Sequence, residues 1–130
     1  MNASVDRLNE LSSLILKSAI AVHQEMGPGL LESVYQQCMI LELRNRGLVV
    51  NQMVPVQLQY KQIPINKEYI IDILVEDDII LELKSIDGIL KIHEAQILSY
   101  LRLTNKRLGF LINFNVPLLK QGFRRFVNNL

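Results

Sequence analysis

The 130-residue chain has a single cysteine, Cys38. One thiol excludes a disulfide framework or a cysteine zinc cluster within one chain, and it suits a protein of the reducing cytoplasm. Cys38 lies among apolar residues of an expected helix and reads as packing. Tryptophan is absent and there are four tyrosines and four phenylalanines, which leaves little for reading nucleobases by stacking. No apolar stretch is long enough to span a bilayer. The opening Met1-Asn2-Ala3-Ser4 lacks the basic stretch and apolar run of a signal peptide. No glycine-rich phosphate loop occurs, which counts against hydrolysis of a small phosphorylated molecule.

What is present suffices for one compact domain, 1–130, because 49% of the residues are hydrophobic. The net charge of +1 is uninformative, but its distribution is not. Residues 1–84 hold 7 Lys/Arg against 11 Asp/Glu, and residues 85–130 hold 7 against 2. An acidic half joined to a basic half fits carboxylates that hold a cation beside a rim that faces phosphate. Ordinary segregation of surface charge gives the same count.

Leu8, Leu11, Ile15, Ala19, Val22 and Met26 recur at helical steps. Gly27-Pro28 stops that helix, and a second is expected from Gly29 to Arg46, closed by Gly47. Val54, Val56, Leu58 and Tyr60 then alternate with polar residues and Pro55, the pattern of a half-buried edge strand. Lys61-Gln62 reads as a turn. Two apolar runs, Tyr69–Val75 and Ile79–Ser85, read as central strands. Asp87 is expected to cap a third helix over Ile89–Leu103. Leu108–Phe114 is another buried strand, and Phe123–Val127 is a final edge strand or a short helix. This order predicts an α/β fold with a mixed sheet flanked by helices.

Charges interrupt the two central runs. Asp72 stands in Ile70-Ile71-Asp72-Ile73-Leu74, and Glu82 and Lys84 stand in Ile80-Leu81-Glu82-Leu83-Lys84. A charge buried in a central strand costs several kcal/mol unless it is paired or bound to metal. Glu82 and Lys84 share a face, being two residues apart. A three-residue loop at Glu76-Asp77-Asp78 sets Asp72 opposite Glu82, whereas a two-residue loop turns Asp72 to the other face. Facing carboxylates, with the Leu83 carbonyl, form a hard oxygen site for Mg²⁺ or Mn²⁺. The nearby lysine can stabilise charge on a phosphate or help activate water. A metal-free Asp–Lys–Glu salt-bridge cluster is the alternative, since short E-x-K matches are common.

Gly29, Glu32 and Tyr35 fall on one face of the second helix, placing Glu32 as an outer metal ligand and Tyr35 toward substrate. A solvated glutamate is the plainer reading of Glu32. In the third helix His93, Gln96 and Tyr100 form a polar stripe. Gln96 and Tyr100 could orient Lys84 or contact phosphate, with His93 at the rim.

These residues resemble a known family. Gly29-Leu30-Leu31-Glu32-Ser33-Val34-Tyr35 matches the motif of GxxExxY proteins, which are placed in the PD-(D/E)xK nuclease superfamily. Asp72-Ile73-Leu74-Val75-Glu76, Glu82-Leu83-Lys84, the Ala95–Leu101 block and Gly109–Phe114 are similar to its later blocks. The resemblance implies a restriction-endonuclease-like fold and Mg²⁺-dependent nuclease chemistry. In it Asp72 and Glu82 bind metal and Lys84 assists the attacking water. Gln96 and Tyr100 resemble the Q-x-x-x-Y motif of RecB-type nucleases, and Glu32 resembles the first-helix glutamate of some Holliday junction resolvases. Two departures stand out: Ile71 replaces the proline of "PD", and Ile70 stands where many relatives carry a basic residue. The expected partner is nucleic acid, DNA ahead of RNA and recognised by structure, with no membrane; a homodimer would double the basic surface. The rival reading is a non-catalytic nucleic-acid- or protein-binding module that keeps the fold.

Overall fold

A computed structural model describes residues 3–130; Met1 and Asn2, part of the stretch read above for a leader, lie outside the described residues. Helix α1 spans Val5–Met26, α2 Glu32–Asn45 and α3 Lys91–Thr104. Strands β1 (Val50–Tyr60), β2 (Ile63–Val75), β3 (Ile79–Lys84), β4 (Leu108–Asn113) and β5 (Phe123–Val127) form one sheet in that order. β3 and β4 are parallel, joined through α3, and every other neighbouring pair is antiparallel.

Hydrophobic spacing places each layer. Leu8, Leu11, Ile15, Ala19 and Val22 of α1 are buried with Tyr35, Met39, Ile40 and Leu43 of α2 against one face of the sheet. Ile97, Tyr100 and Leu101 of α3 cover Ile80, Leu111, Ile71 and Leu74 on the other. β4 is buried along its whole length, as a central strand covered on both faces must be. β1 is an edge strand, in keeping with Pro55, and β5 is the opposite edge strand rather than a helix. No helix among the described residues is long and apolar enough to cross a membrane.

Three boundaries differ from expectation. α2 begins at Glu32, not Gly29, because Gly29 has a φ of 93° that no right-handed helix accepts. Asp87 does not cap α3; the helix starts at Lys91, and the His93 ring Nδ1 accepts from the Leu90 N–H at 3.0 Å in the capping position. β2 runs six residues beyond the apolar stretch at its N-terminal end, reaching Ile63 to pair with the outer half of β1.

Candidate active site

The β2–β3 hairpin closes through the three residues Glu76-Asp77-Asp78, with Val75 opposite Ile79, Leu74 opposite Ile80 and Ile73 opposite Leu81. Glu76 and Asp77 take the left-handed φ values of 53° and 57° that such a loop requires. Continued by one pair, this register brings Asp72 to Glu82. There the ladder ends. The Asp72 N–H donates to Glu82 Oε1 at 3.3 Å, and the Leu83 N–H donates to Asp72 Oδ2 at 2.8 Å. The strands therefore part at this point, and each carboxylate takes up an amide that the divergence would leave unpaired.

The parting coincides with a break in side-chain alternation. Ile73 and Val75 belong to the core under α1 and α2, but Ile71 belongs to the core under α3. On the neighbouring strand Met53 adopts a φ of 50°, and the ladder passes from Gln52–Ile73 to Val54–Ile71 without pairing Met53 to Asp72. Gln36 of α2 fills the gap: its Nε2 donates to the Asp72 carbonyl at 3.2 Å and contacts Met53 Sδ at 3.3 Å. A glutamine four residues after Glu32, hence on the same helical face, was the only sequence signal for this role.

Glu82 is buried and Asp72 half-buried. Burial pushes the Glu82 carboxyl up to about 9; the Asp72 charge adds to the rise, and Lys84 pulls weakly the other way. One oxygen of each acid is committed to an amide. The two carboxyls also share a side-chain hydrogen bond, for which the proton held by Glu82 is the donor. Lys84 is half-buried and forms no ion pair among the described residues. The salt-bridged Asp–Lys–Glu cluster is therefore not what forms.

Two facing carboxyls on adjacent strands, once the shared proton is displaced, suit a small divalent cation that keeps several waters. No group of three or more His, Cys, Asp or Glu side chains able to hold a metal occurs among the described residues. Glu32, exposed in the first turn of α2, is thus not gathered into a three-acid cluster. The Leu83 N–H is fixed by Asp72, which anchors the residue whose carbonyl was expected as a ligand, though that carbonyl belongs to the following peptide.

Tyr100 projects from α3 toward the acids. Burial pushes its phenol up to about 12, with the Glu82 and Asp72 charges contributing, so it stays a neutral hydrogen-bond donor across ordinary pH. Tyr69 packs against it with ring centroids 5.3 Å apart. Gln96, one turn earlier on α3, is exposed and its side chain bonds no protein group among the described residues; His93 is half-buried and tied to the helix start.

Tyr35 does not face substrate. It is fully buried and stacked on Phe114 at 4.4 Å; its hydroxyl donates to the Gly27 carbonyl at 2.5 Å and accepts from the Leu30 N–H at 3.1 Å. The tyrosine of the Gly29–Tyr35 motif thus clamps the link between α1 and α2. Ser85 Oγ donates to the Leu30 carbonyl at 2.5 Å, fastening the same link to the end of β3. Asn113, which sequence reading passed over, is buried at the end of β4 opposite Lys84. It accepts from the Ile86 N–H at 3.1 Å and donates to the Ile86 carbonyl at 3.0 Å, holding the segment after Lys84 in place. Gly122 packs so closely there that a Cβ would lie 2.1 Å from the Asn113 carbonyl oxygen.

A mixed five-stranded sheet between helices, with an Asp facing a Glu-x-Lys across one hairpin, defines a restriction-endonuclease-like α/β domain. The family model described as "PD-(D/E)XK nuclease superfamily" matches residues 9–126, and the chain belongs to that superfamily. No curated protein and no solved structure matches it.

Proposed function

We propose that this protein is a Mg²⁺- or Mn²⁺-dependent nuclease of the GxxExxY group that hydrolyses phosphodiester bonds, in DNA rather than RNA, directed by structure rather than sequence. One observation carries the reading: Asp72 and Glu82 face each other, each held by a backbone amide, beside an ammonium with no carboxylate partner among the described residues. A structural ion-pair cluster would use Lys84 to neutralise the acids; here it is left available. When bound, the cation supplies Lewis acidity and an acidified water. Asp72 and Glu82 hold and orient it, while Lys84 stabilises charge developing on the phosphate and takes part in positioning the attacking water. Tyr100, neutral and beside the acids, donates to a phosphate oxygen, and Gln96 extends the polar face of α3 toward the same strand.

The test is cleavage of single-stranded, duplex and branched DNA and of RNA with Mg²⁺ or Mn²⁺, with an identically purified Lys84→Ala preparation as control. Cutting by the parent alone supports the proposal. Equal silence from both, without metal binding to the parent, favours a binding module that keeps the fold.

A further inference from the structure

The outer halves of β1 and β2 form a two-stranded arm that, beyond the Tyr69 contact with α3, no helix or third strand among the described residues covers. From Gln57 to Tyr69 every residue but Leu58 is exposed, and β3 pairs with β2 only at Ile73, Leu74 and Val75. An isolated hairpin is marginally stable in water, yet this one carries Tyr60 at 64% exposure and Ile63 at 68%. These two are directly opposed at the tip, and Leu58 opposes Ile65 behind them. Lys61 and Gln62 turn the chain with φ values of 50° and 67°.

The apolar stripe faces the same way as the candidate site. Val56 and Tyr69 are paired, Val56 lies in the core under α3 and Tyr69 packs on Tyr100. The register shifts between Gln57 and Leu58, where Asn66 and Lys67 bulge from β2. A bulge of two residues keeps the parity of the pairing, and β1 has no positive φ between Val54 and Tyr60, so Leu58 and Tyr60 stay on that face. Three of the chain's four tyrosines, Tyr60, Tyr69 and Tyr100, thus line one surface from the arm tip to the carboxylates. Between Met53, beside Asp72, and Tyr60 the arm extends seven residues, about 23 Å at roughly 3.3 Å each. That length matches about seven base pairs at 3.4 Å per step.

We propose that this arm is a nucleic-acid wedge: Tyr60 and Ile63 insert where a duplex opens, at a fork or branch, and the tyrosine stripe leads the unpaired strand to the site. The proposal rests on the nuclease reading for its last step but not for binding. Apolar side chains that enter a base step unstack it, and a broken step already at a fork lowers that cost. Lys61, over the Tyr60 ring at 5.5 Å, and Lys67 form no ion pair among the described residues and supply phosphate contacts. Glutamines 57, 59 and 62 and Asn66 add hydrogen-bonding groups, and Glu68 is the arm's one acid. A second copy pairing strand to strand fits less well, because Pro55 and Pro64 lack donors on the two edges and a lysine caps the tip.

The test measures fluorescence-anisotropy affinity for a forked DNA and a linear duplex of equal length in EDTA, where no cleavage occurs. The parent is expected to favour the fork at least tenfold, and the double variant Tyr60→Ser/Ile63→Ser to lose that preference with its Tm unchanged. Lys61→Gln/Lys67→Gln should weaken both probes alike and flatten the salt dependence. A parent without fork preference, or a variant that retains it, overturns the proposal. So does a parent dimer that the Tyr60→Ser/Ile63→Ser change dissociates without altering fork affinity. Arm-dependent fork binding by a parent that cuts nothing with Mg²⁺ or Mn²⁺ sustains the wedge and sinks the nuclease reading. Cleavage indifferent to the arm, with no fork preference in binding, does the reverse.

Discussion

Replacing Glu82 by Gln should stabilise the metal-free protein, and by an amount that depends on pH. Glu82 titrates near 9 in the fold against 4.5 for an unperturbed glutamate. Between those values the folded chain holds a proton that the unfolded chain has released, so stability falls as pH rises through the window. Each pH unit costs about 1.4 kcal/mol; from 4.5 to 8 the sum is about 5 kcal/mol as an upper bound. A glutamine is neutral in both states and removes this dependence. Its carbonyl can still accept from the Asp72 N–H, and its amide can replace the donor that a protonated Glu82 presents to Asp72.

If half of that bound is realised, the variant gains roughly 2–3 kcal/mol at pH 8 in EDTA. For a domain of this size each kcal/mol moves Tm by about 4 °C, so an increase of roughly 10 °C is expected. At pH 5 the same comparison should give under about 1 kcal/mol. Thermal unfolding by circular dichroism at the two pH values reads both. A gain that is equal at pH 5 and pH 8, or absent at pH 8, refutes the argument that a neutral, buried Glu82 burdens the fold. Saturating Mg²⁺ should raise the Tm of the parent and leave the variant unmoved.

The remaining expectations concern binding, chemistry and the frame around the site. A cation that displaces the Glu82 proton should bind about tenfold more tightly per pH unit up to near pH 9; calorimetry in buffers of different ionisation enthalpy should find close to one proton released per ion. Lys84→Ala should keep metal binding and lose at least about a hundredfold in cleavage rate, as removal of a charge-stabilising donor commonly does. Tyr35→Phe should lower stability by roughly 1–3 kcal/mol through the lost bonds to Gly27 and Leu30, a drop in Tm with metal affinity retained. Gly122→Ala forces a methyl into the Asn113 carbonyl and should cost roughly 3 kcal/mol or more, measurable by urea unfolding.

Much of the site was legible because it violates a simple pattern. β-branched, apolar strands do not carry Asp72, Glu82 and Lys84 without cause, and parity across a three-residue loop is enough to set the two acids face to face. Residues whose partners lie far along the chain were not legible. Gln36 reaches Asp72 across 36 positions, and Asn113 holds Ile86 across 27; only a helical face shared with Glu32 hints at the first, and nothing local marks the second. Tyr35 was misread for a related reason. A helical face shared with Glu32 indicates direction only approximately, and the ring lies beneath the Gly27–Leu30 link, where its hydroxyl is consumed. The arm was hidden by its own composition, since Asn66-Lys67-Glu68 interrupts the apolar pattern that would have extended β2 to Ile63.

The departures from regularity also explain one another. A continuous ladder through this point would consume the Asp72 and Leu83 amides and leave both carboxylates with no protein donor in a buried setting. Divergence of β2 from β3 frees those amides for the acids, the left-handed Met53 lets β1 follow the same bend, and Gln36 satisfies the carbonyl that the bend exposes. The same reversal of alternation moves Ile71 to the α3 side, where Tyr69, two residues further along, meets Tyr100. Thus a single break at Asp72 both presents the two carboxyls and turns the outer half of the β1–β2 ribbon onto the face where they lie. Local rules failing together at one place, each failure compensated by a specific contact, are the mark of a fold shaped around a site.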